Sequence, residues 1–241
     1  MKGVILAGGL GSRLYPLTYA TNKHLLPVYD KPMVFYPIQT LVEAGIDEIL
    51  IVVGGPHAGD FVRVLKNGKD LGVRHLEFAY QEGEGGIAEA IRLAEDFADE
   101  GRIAVILGDN TTDADIGKTI AEFKKGALVF LKEFKDKKKL ARFGVPVFDK
   151  SGRKIIRVEE KPVVPKSQYA QTGLYLYDKT VFEKIRTMKP SARGELEVSD
   201  LNSIYASEGK LFWAEVDGFW SDAGTFESLF VAGEYWRKKT L

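Results

Sequence analysis

The sequence predicts an α/β protein with a doubly wound, mainly parallel sheet and a β-rich second half. Two observations carry this prediction. Continuous β-branched and aliphatic runs alternate with amphipathic stretches through the first half of the chain, which is typical of strands covered on both faces by helices. In the second half, short strand-like runs lie close together and are separated by turn residues, which indicates antiparallel pairing.

Strands and helices alternate strictly in the first half. We predict strands over residues 4–7, 48–53, 75–80 and 103–107, and helices over 33–44, about 60–66 and 86–97. Gly45 follows the first of these helices, where the left-handed backbone that glycine adopts easily ends a helix. The order is that of a Rossmann-like sheet, in which crossover helices join parallel strands.

The second half contains shorter elements. We predict strands over residues 128–134, 144–148, 154–158 and 172–177, and helices over 180–187, 197–206 and 225–238. The segment DKSG at 149–152 is typical of a turn. No repeat, low-complexity linker or change of composition divides the chain, so we predict one domain over residues 1–241.

The composition excludes several classes of protein. Acidic and basic residues are equal in number, at 34 each, whereas a general nucleic-acid binder needs a basic face. There is no cysteine, which excludes disulfides and thiolate chemistry and fits a cytoplasmic enzyme. The apolar runs are too short for a signal peptide or a membrane span. His24, His57 and His75 lack metal-ligand spacing, and we interpret the last two as surface residues.

The first predicted strand ends in a loop that is almost free of side chains. The sequence MKGVILAGGLGSRLYPLT places Gly8, Gly9 and Gly11 before Arg13. Glycines let another molecule approach the backbone N–H groups closely, and an arginine offers a planar donor fork that suits phosphate oxygens. The loop therefore predicts a phosphate site. It is neither a dinucleotide fingerprint, because Leu14 stands where the third glycine belongs, nor a P-loop, because no G-K-[ST] follows.

Polar residues follow several of the predicted strands at the point where each strand ends. Arg13 follows the first strand, Gln81 the third, and Asp109 and Asn110 the fourth. Ligands of open α/β sheets bind at the carboxyl ends of the strands. We therefore expect these side chains to meet at one edge of the sheet.

Longer motifs continue this pattern along the chain. The loop extends to G-G-x-G-S-R-L-x-P-L-T, and NKHLLPV with Lys23 comes ten residues after Arg13. The motifs YDKPMVFYPI, LGDN, FGV, EEKP, TGLYLYD, PSARGELEVSDLN and WSDAGT follow in order. This sequence resembles the sugar-1-phosphate nucleotidylyltransferases over nearly its whole length, and most of all those members that transfer a thymidylyl group to glucose 1-phosphate.

The resemblance implies the nucleotide-diphospho-sugar transferase fold and a Mg²⁺-dependent reaction. In that reaction, dTTP and α-D-glucose 1-phosphate form dTDP-glucose and pyrophosphate. The family assigns catalysis to Arg13, Lys23, Asp109 and Lys161, and the metal to Asp109 and Asp222. It assigns the nucleotide to Leu6, Gly8, Gly9, Gly11, Ser12, Arg13, Lys23, Gln81, Gly86 and Asp109. It assigns the sugar phosphate to Asn110, Gly144, Glu160, Lys161, Thr172, Tyr175 and Arg193, with Gly144 leaving room for the sugar ring.

The alternatives differ in base, in sugar or in class. The amide of Gln81 offers a donor and an acceptor, which match the imide edge of thymine and of uracil alike. UTP therefore stays an alternative to dTTP, and another hexose 1-phosphate stays an alternative to glucose 1-phosphate. A non-catalytic nucleotide-sugar sensor should have lost at least one of the proposed catalytic or metal residues, and all are present. A nicotinamide-dependent oxidoreductase is disfavoured, because Leu14 stands where its fingerprint needs a third glycine.

Some segments depart from the family pattern or lie outside it. TTDAD follows GDN in place of an aromatic-containing segment, so we expect a different loop beside the sugar pocket. Many members carry a further helical segment beyond the position of Leu241, for oligomer contacts and a regulatory nucleotide site, and the resemblance does not extend to these properties. We interpret residues 135–139 (KDKKK) as a solvated loop. The last helix carries a stripe that we predict to be a packing face and in part a homo-oligomer contact: Phe226, Leu229, Phe230, Gly233 and Trp236.

Overall fold

The computed structural model describes all residues from Met1 to Leu241. The strands are β1 (Lys2–Ala7), β2 (Pro27–Val28), β3 (Lys31–Pro32), β4 (Glu48–Gly54), β5 (His75–Gln81), β6 (Ile103–Leu107), β7 (Thr111–Thr112), β8 (Ala127–Glu133), β9 (Gly144–Phe148), β10 (Ile155–Glu160), β11 (Tyr169–Tyr177), β12 (Leu211–Glu215) and β13 (Trp220–Ser221). The α-helices are α1 (Phe35–Glu43), α2 (Ala58–Leu65), α3 (Ile87–Arg92), α4 (Glu95–Ala98), α5 (Gly117–Glu122), α6 (Val181–Thr187), α7 (Val198–Ser207) and α8 (Phe226–Thr240).

One seven-stranded sheet forms the centre of the molecule, in the order β12-β8-β11-β6-β1-β4-β5. Every neighbouring pair is parallel except the two that involve β11, which runs antiparallel to both β6 and β8. The predicted doubly wound, mainly parallel sheet is therefore confirmed. The remaining strands form three two-stranded ribbons, β9 with β10, β7 with β13, and β2 with β3.

The two faces of the sheet bury separate apolar clusters. Along β1, Val4 and Leu6 point into one cluster, and Ile5 and Ala7 point into the other. Residues of α3, α6 and α7 complete the first cluster, and residues of α1, α2 and α5 complete the second. Alternate side chains of a strand point to opposite faces of a sheet. A continuous apolar run is therefore needed wherever helices cover both faces.

Most predicted elements are observed within a few residues of their expected ends, but one helix was predicted wrongly and several elements were missed, among them the helix α5 and the short strands β2, β3, β7 and β13. The helix predicted over 86–97 is divided into α3 and α4, because the N–H groups of Leu93 and Ala94 bond to carbonyls three residues earlier instead of four. The strand β12 was missed, although its first two residues alternate between buried and exposed. It pairs in parallel with β8, which lies far from it in sequence.

The antiparallel strand β11 brings the second half of the chain to the edge where the parallel strands end. Leu174 lies beside Ile106 in the ladder, so Thr172 and Gly173 are next to the end of β6. The loops after β1 and β6 begin at the same edge because these two strands are parallel. Residues from both halves therefore surround one region of space.

The segment after GDN, which departs from the family pattern, has a structural role in this protein. Thr111 and Thr112 pair with β13. Asp113 then accepts hydrogen bonds from the N–H of Phe219 at 2.7 Å, from the ammonium of Lys239 at 2.7 Å, and from the hydroxyl of Tyr235. Asp113 thereby attaches α8 to the strand that precedes Asp222.

The apolar stripe on α8 is only partly a packing face. Leu229 and Trp236 pack against a small cluster that includes Val28, Met33 and Tyr36. Phe226 and Phe230 remain exposed to 47% and 70%, so the packing prediction was wrong for both. The homo-oligomer contact stays a prediction. The lysine-rich segment is exposed as expected, but its second part forms a short 3₁₀ helix, Lys137–Arg142.

None of the helices is both long enough and apolar enough to cross a membrane.

Replacing Asp113 with alanine should destabilise the protein by loosening α8. The substitution removes three hydrogen bonds and leaves their donors without a partner, which costs about 1–3 kcal/mol. For a protein of this size that corresponds to a fall in melting temperature of roughly 2–10 °C. Thermal unfolding followed by circular dichroism measures it. Glu122→Ala, at an exposed residue whose side chain makes no hydrogen bond, is the control. Equal melting temperatures of the two variants would contradict the role of Asp113.

Candidate active site

Two adjoining cavities open at the carboxyl edge of the sheet. Their volumes are about 310 Å³ and about 600 Å³. Every candidate site residue predicted from the sequence lines one or both of them. Leu6, Gly8, Gln81 and Gly86 line the smaller cavity, and Gly9, Arg13, Lys23 and Asp109 line both. The remaining predicted residues line the larger one: Gly11, Ser12, Asn110, Gly144, Glu160, Lys161, Thr172, Tyr175, Arg193 and Asp222.

The glycine loop passes between the two cavities with its backbone exposed to them. Gly9 and Gly11 have φ of 88° and 65°, a region that side chains disfavour. A Cβ at Gly11 would lie 2.9 Å from the Cβ of Lys23. Any side chain at position 11 would therefore collide with Lys23. The hydroxyl of Thr18 donates to the carbonyl of Gly11 at 2.9 Å. The loop thus presents Arg13 at the boundary of the two cavities.

A buried ion pair joins Lys23 to Asp109. The ammonium lies 2.6 Å from Oδ2 of the carboxylate, and the two side chains are 14% and 9% exposed. Burial by itself would raise the pKa of Asp109, but the charge of Lys23 and hydrogen bonds from Lys23 and Asn110 hold this pKa below its ordinary value. The carboxylate is therefore ionised at neutral pH and ready to interact with a cation.

Next to this pair lies a neutral histidine. Burial, followed by the adjacent charge of Lys23, lowers the pKa of His24 to about 3. The side chain of Asn22 accepts hydrogen bonds from the backbone N–H of His24 at 2.9 Å and pairs with its Nδ1 at 2.8 Å. These hydrogen bonds to Asn22 cap the short 3₁₀ helix that carries Lys23. Because His24 is neutral, it adds no positive charge beside that of Lys23.

Asp222, the second predicted metal ligand, belongs to a segment that passes beside Asp109 at Gly224. A Cβ at Gly224 would lie 3.2 Å from Oδ2 of Asp109, 3.3 Å from Nη2 of Arg13 and 3.3 Å from the carbonyl oxygen of Asp222. Burial raises the pKa of Asp222, and the negative charge of Asp109 raises it further. Arg142 opposes this shift with an ion pair of 2.8 Å to Oδ2 of Asp222.

At the far end of the larger cavity, Glu160 is surrounded by donors and cations. It accepts a hydrogen bond of 2.6 Å from the hydroxyl of Ser199. The ammonium of Lys161 lies 3.3 Å from it, and the guanidinium of Arg193 lies 3.5 Å from it. Arg193 also donates to Glu197 at 2.8 Å. Two cations and a carboxylate that lie this close can contact a phosphate and neighbouring hydroxyls of one ligand.

Lys161 has an unusual backbone for a residue other than glycine. Its φ is 44°, and its N–H donates to the carbonyl of Phe143 at 3.0 Å. Such a conformation costs roughly 1–2 kcal/mol and is found mainly at functional sites. It turns the chain at the end of β10, so that Lys161 lines the cavity beside Gly144.

Two residues predicted for the sugar pocket, Gly144 and Thr172, also have contacts within the protein. A Cβ at Gly144 would lie 2.6 Å from both Nε2 of Gln171 and Oγ of Ser199. The space where a Cβ would stand at Gly144 is therefore filled by protein side chains, and room for the sugar ring beside this residue stays a prediction. The hydroxyl of Thr172 donates to the carbonyl of Phe130 at 2.9 Å, inside the sheet.

Several cavity residues were not predicted from the sequence. Arg142, Phe143 and Trp220 line the larger cavity, and the indole N–H of Trp220 donates to Oδ1 of Asn110 at 2.7 Å. Phe143 and Trp220 are in contact, with ring centroids 5.5 Å apart. They belong to or adjoin the motifs FGV and WSDAGT, which was the one signal available. Their residue types alone do not indicate a site.

Comparison with known proteins identifies the class of this site. The sequence model of the family described as Nucleotidyl transferase matches residues 2–239, and the chain belongs to this family. Curated glucose-1-phosphate thymidylyltransferases are among its relatives. The one from Neisseria gonorrhoeae is 44% identical, over 98% of this chain and 82% of its own length. The one from Actinoplanes sp. is 43% identical, over 98% of this chain and 78% of its own length. The resemblance predicted from the motifs is confirmed.

Solved structures agree with the fold. A Bacillus anthracis protein, described as a candidate glucose-1-phosphate thymidylyltransferase in complex with sucrose, superposes with a TM-score of 0.91 at 48% identity, over 98% of this chain and 95% of that chain. A UDP-glucose pyrophosphorylase in complex with UDP-glucose superposes with a TM-score of 0.84 at 23% identity, over 99% of this chain and 98% of that chain. The second likeness bears on the fold alone. The nucleotide-diphospho-sugar transferase fold is confirmed.

Proposed function

We propose that the chain is a glucose-1-phosphate thymidylyltransferase, which converts dTTP and α-D-glucose 1-phosphate to dTDP-glucose and pyrophosphate. One observation carries this proposal. The two cavities share Arg13, Lys23 and Asp109, while Gln81 lies in one and the Glu160–Lys161 pair lies in the other. A nucleotide in the smaller cavity and a sugar phosphate in the larger one would therefore meet at the shared charges.

The reaction needs positive charge and alignment more than it needs a base. A phosphate monoester has a second pKa near ~6 and is mostly dianionic at neutral pH, so its oxygen is already a nucleophile. That oxygen attacks the α-phosphorus of dTTP. The bond from the α-phosphorus to the bridging oxygen breaks, and pyrophosphate leaves with the electron pair. The barrier comes from the mutual repulsion of two anions, which cations and fixed positions reduce.

The charged side chains divide this work between the two substrates. We propose that Arg13, Lys23 and the N–H groups of the glycine loop hold the triphosphate and stabilise the departing pyrophosphate. Lys161 and Arg193 hold the 1-phosphate, and Glu160 accepts hydrogen bonds from sugar hydroxyls. No acid or base residue has to move a proton in the displacement.

The family suggests dependence on a divalent metal, and we propose Mg²⁺ held by Asp109 and Asp222. The donor set fits, because Mg²⁺ takes one or two carboxylates and completes its shell with water and substrate oxygens. No third histidine, cysteine, aspartate or glutamate joins them in a cluster. When bound, the ion would neutralise phosphate charge. Lys23 and Arg142 each contact one oxygen, Oδ2, of Asp109 and Asp222, so the ion would compete with the charge of these two cations.

We further propose that residues 1–241 act as one domain in the cytoplasm, on small molecules. The absence of cysteine and the equal numbers of acidic and basic residues support this proposal.

The reaction itself is tested by pyrophosphate release from purified protein with Mg²⁺ and glucose 1-phosphate. We expect turnover of dTTP at least as efficient as turnover of UTP. The two bases differ by one methyl group, which in a pocket is worth about 1–3 kcal/mol. A large preference for UTP would make the chain a uridylyltransferase. No release with either nucleotide from folded protein would refute the proposal for glucose 1-phosphate, and a panel of other hexose 1-phosphates would follow.

Lys161→Ala should weaken the use of glucose 1-phosphate and leave dTTP binding unchanged. Losing a charged hydrogen bond costs about 1.5–3 kcal/mol, so kcat/KM for the sugar phosphate should fall roughly 10- to 150-fold. Calorimetry of dTTP binding is the second measurement. Lys166→Ala is the matched control, because Lys166 also pairs with a glutamate, Glu159, but lines neither cavity. An equal loss of dTTP affinity in Lys161→Ala would assign Lys161 to the nucleotide.

Arg142→Gln should strengthen divalent-metal binding to the protein without nucleotide. The substitution removes the cation that competes for Asp222. A half-exposed ion pair is worth up to about 1 kcal/mol, so the apparent affinity should rise by up to roughly fivefold. Water-proton relaxation with Mn²⁺ measures it. Lys139→Gln removes an equal charge from the same 3₁₀ helix and should change nothing. Weaker metal binding in Arg142→Gln would show that Arg142 supports the metal site instead of competing with it.

A further inference from the structure

The amide nitrogen of Gln81 has no hydrogen left for a ligand. It donates to the carbonyl of Gly86 at 3.2 Å and to Oε2 of Glu89 at 3.0 Å. An amide nitrogen carries two hydrogens. Gln81 therefore offers a nucleobase only its acceptor, Oε1, and the expectation that it presents both a donor and an acceptor was wrong.

The oxygen of this amide lies beside Gly8, at the wall of the smaller cavity. Oε1 would lie 2.9 Å from a Cβ at Gly8, and both Gln81 and Gly8 line that cavity. The side chain of Gln81 is itself buried, with 8% of the residue exposed. A base that enters the cavity at this position therefore meets a fixed acceptor.

Glu89 and the carbonyl of Gly86 together determine which way this amide points, and Glu89 makes the shorter of the two hydrogen bonds. A carboxylate accepts hydrogen bonds and donates none, so it can hold Nε2 of Gln81 but not Oε1. The loop before α3 is shaped around this carboxylate. A Cβ at Gly85 would lie 1.8 Å from Oε2 of Glu89, so no side chain could stand there. Glu89 lines neither cavity and acts only through Gln81.

We propose that Glu89 is a positioning residue that selects thymine or uracil against cytosine, an inference that rests on the proposed nucleotide reaction. Thymine and uracil carry an N–H at ring position 3, which can donate to Oε1 of Gln81. Cytosine has a lone pair at that position, which would face the lone pairs of Oε1. If the amide could rotate by half a turn, its nitrogen would donate to cytosine instead. Glu89 prevents this rotation.

Glu89→Gln tests the proposal with almost no change of shape. Its amide can present either an oxygen or a nitrogen to Gln81, so only the longer hydrogen bond to the carbonyl of Gly86 still favours the original orientation, and the rotated one becomes accessible. The ratio of kcat/KM for dTTP to that for dCTP should fall about tenfold or more, since an unpaired buried polar group weakens binding by roughly that factor. The ratio of dTTP to UTP should not change, because the methyl group is not read by this amide.

The same ratios are measured on a control and on a second variant. Glu82→Gln removes an equal charge from the same loop, at an exposed residue outside both cavities, and should leave the ratio unchanged. Glu89→Leu removes the acceptor by another route and should lower the dTTP to dCTP ratio even if the first variant does not fold. In a Gln81→Leu background, Glu89→Gln should have no effect on the ratio, because the group that reads the base is gone.

Calorimetric binding of dTTP and of dCTP without sugar phosphate separates this inference from the reaction. If the wild-type protein binds dTTP but releases no pyrophosphate, the proposed function fails, and the binding ratio still tests Glu89. If the folded variants keep the wild-type ratio of dTTP to dCTP affinity, Glu89 has no part in base selection and the inference is overturned.

Discussion

The side chain of Asn110 joins three segments that are distant in sequence, and the shape of the site depends on it. Its oxygen accepts hydrogen bonds from the N–H of Gly173 at 2.9 Å and from the indole of Trp220 at 2.7 Å, and its nitrogen donates to Asp109 at 3.1 Å. The residue is 2% exposed. Because an unpaired buried amide group costs about 1–3 kcal/mol, the end of β6, the middle of β11 and the strand before Asp222 are held in one arrangement.

Three of the site's cations are each paired with a carboxylate. Lys23 holds Asp109, Arg142 holds Asp222, and Lys161 lies beside Glu160. A buried charge without a partner is costly, at several kcal/mol per ion. Lys23 and Lys161, which we propose for phosphate binding, are therefore stabilised before any substrate arrives. Substrate binding then exchanges one set of partners for another, which keeps the site assembled in both states.

Three glycines of the site make room for polar side chains of the protein. The place of a Cβ is taken by Gln171 and Ser199 at Gly144, by Asn110 at Gly173, and by Glu89 at Gly85. In each case the side chain that fills the space holds another residue of the site in position. Steric room for hydrogen-bonded networks thus explains these glycines.

Apolar periodicity and turn chemistry are local properties, so the strands of the first half, the bare loop before Arg13 and the acid after β6 could be predicted from short stretches of sequence. The family motifs then identified about half of the residues that line the two cavities. The pairing of β12 with β8, the ion pair of Arg142 with Asp222 eighty residues away, and the hydrogen bond from the Gln81 amide to Glu89 could be seen only in the folded structure. These facts depend on which segments the folded sheet brings within hydrogen-bonding distance, and no short stretch of sequence records that.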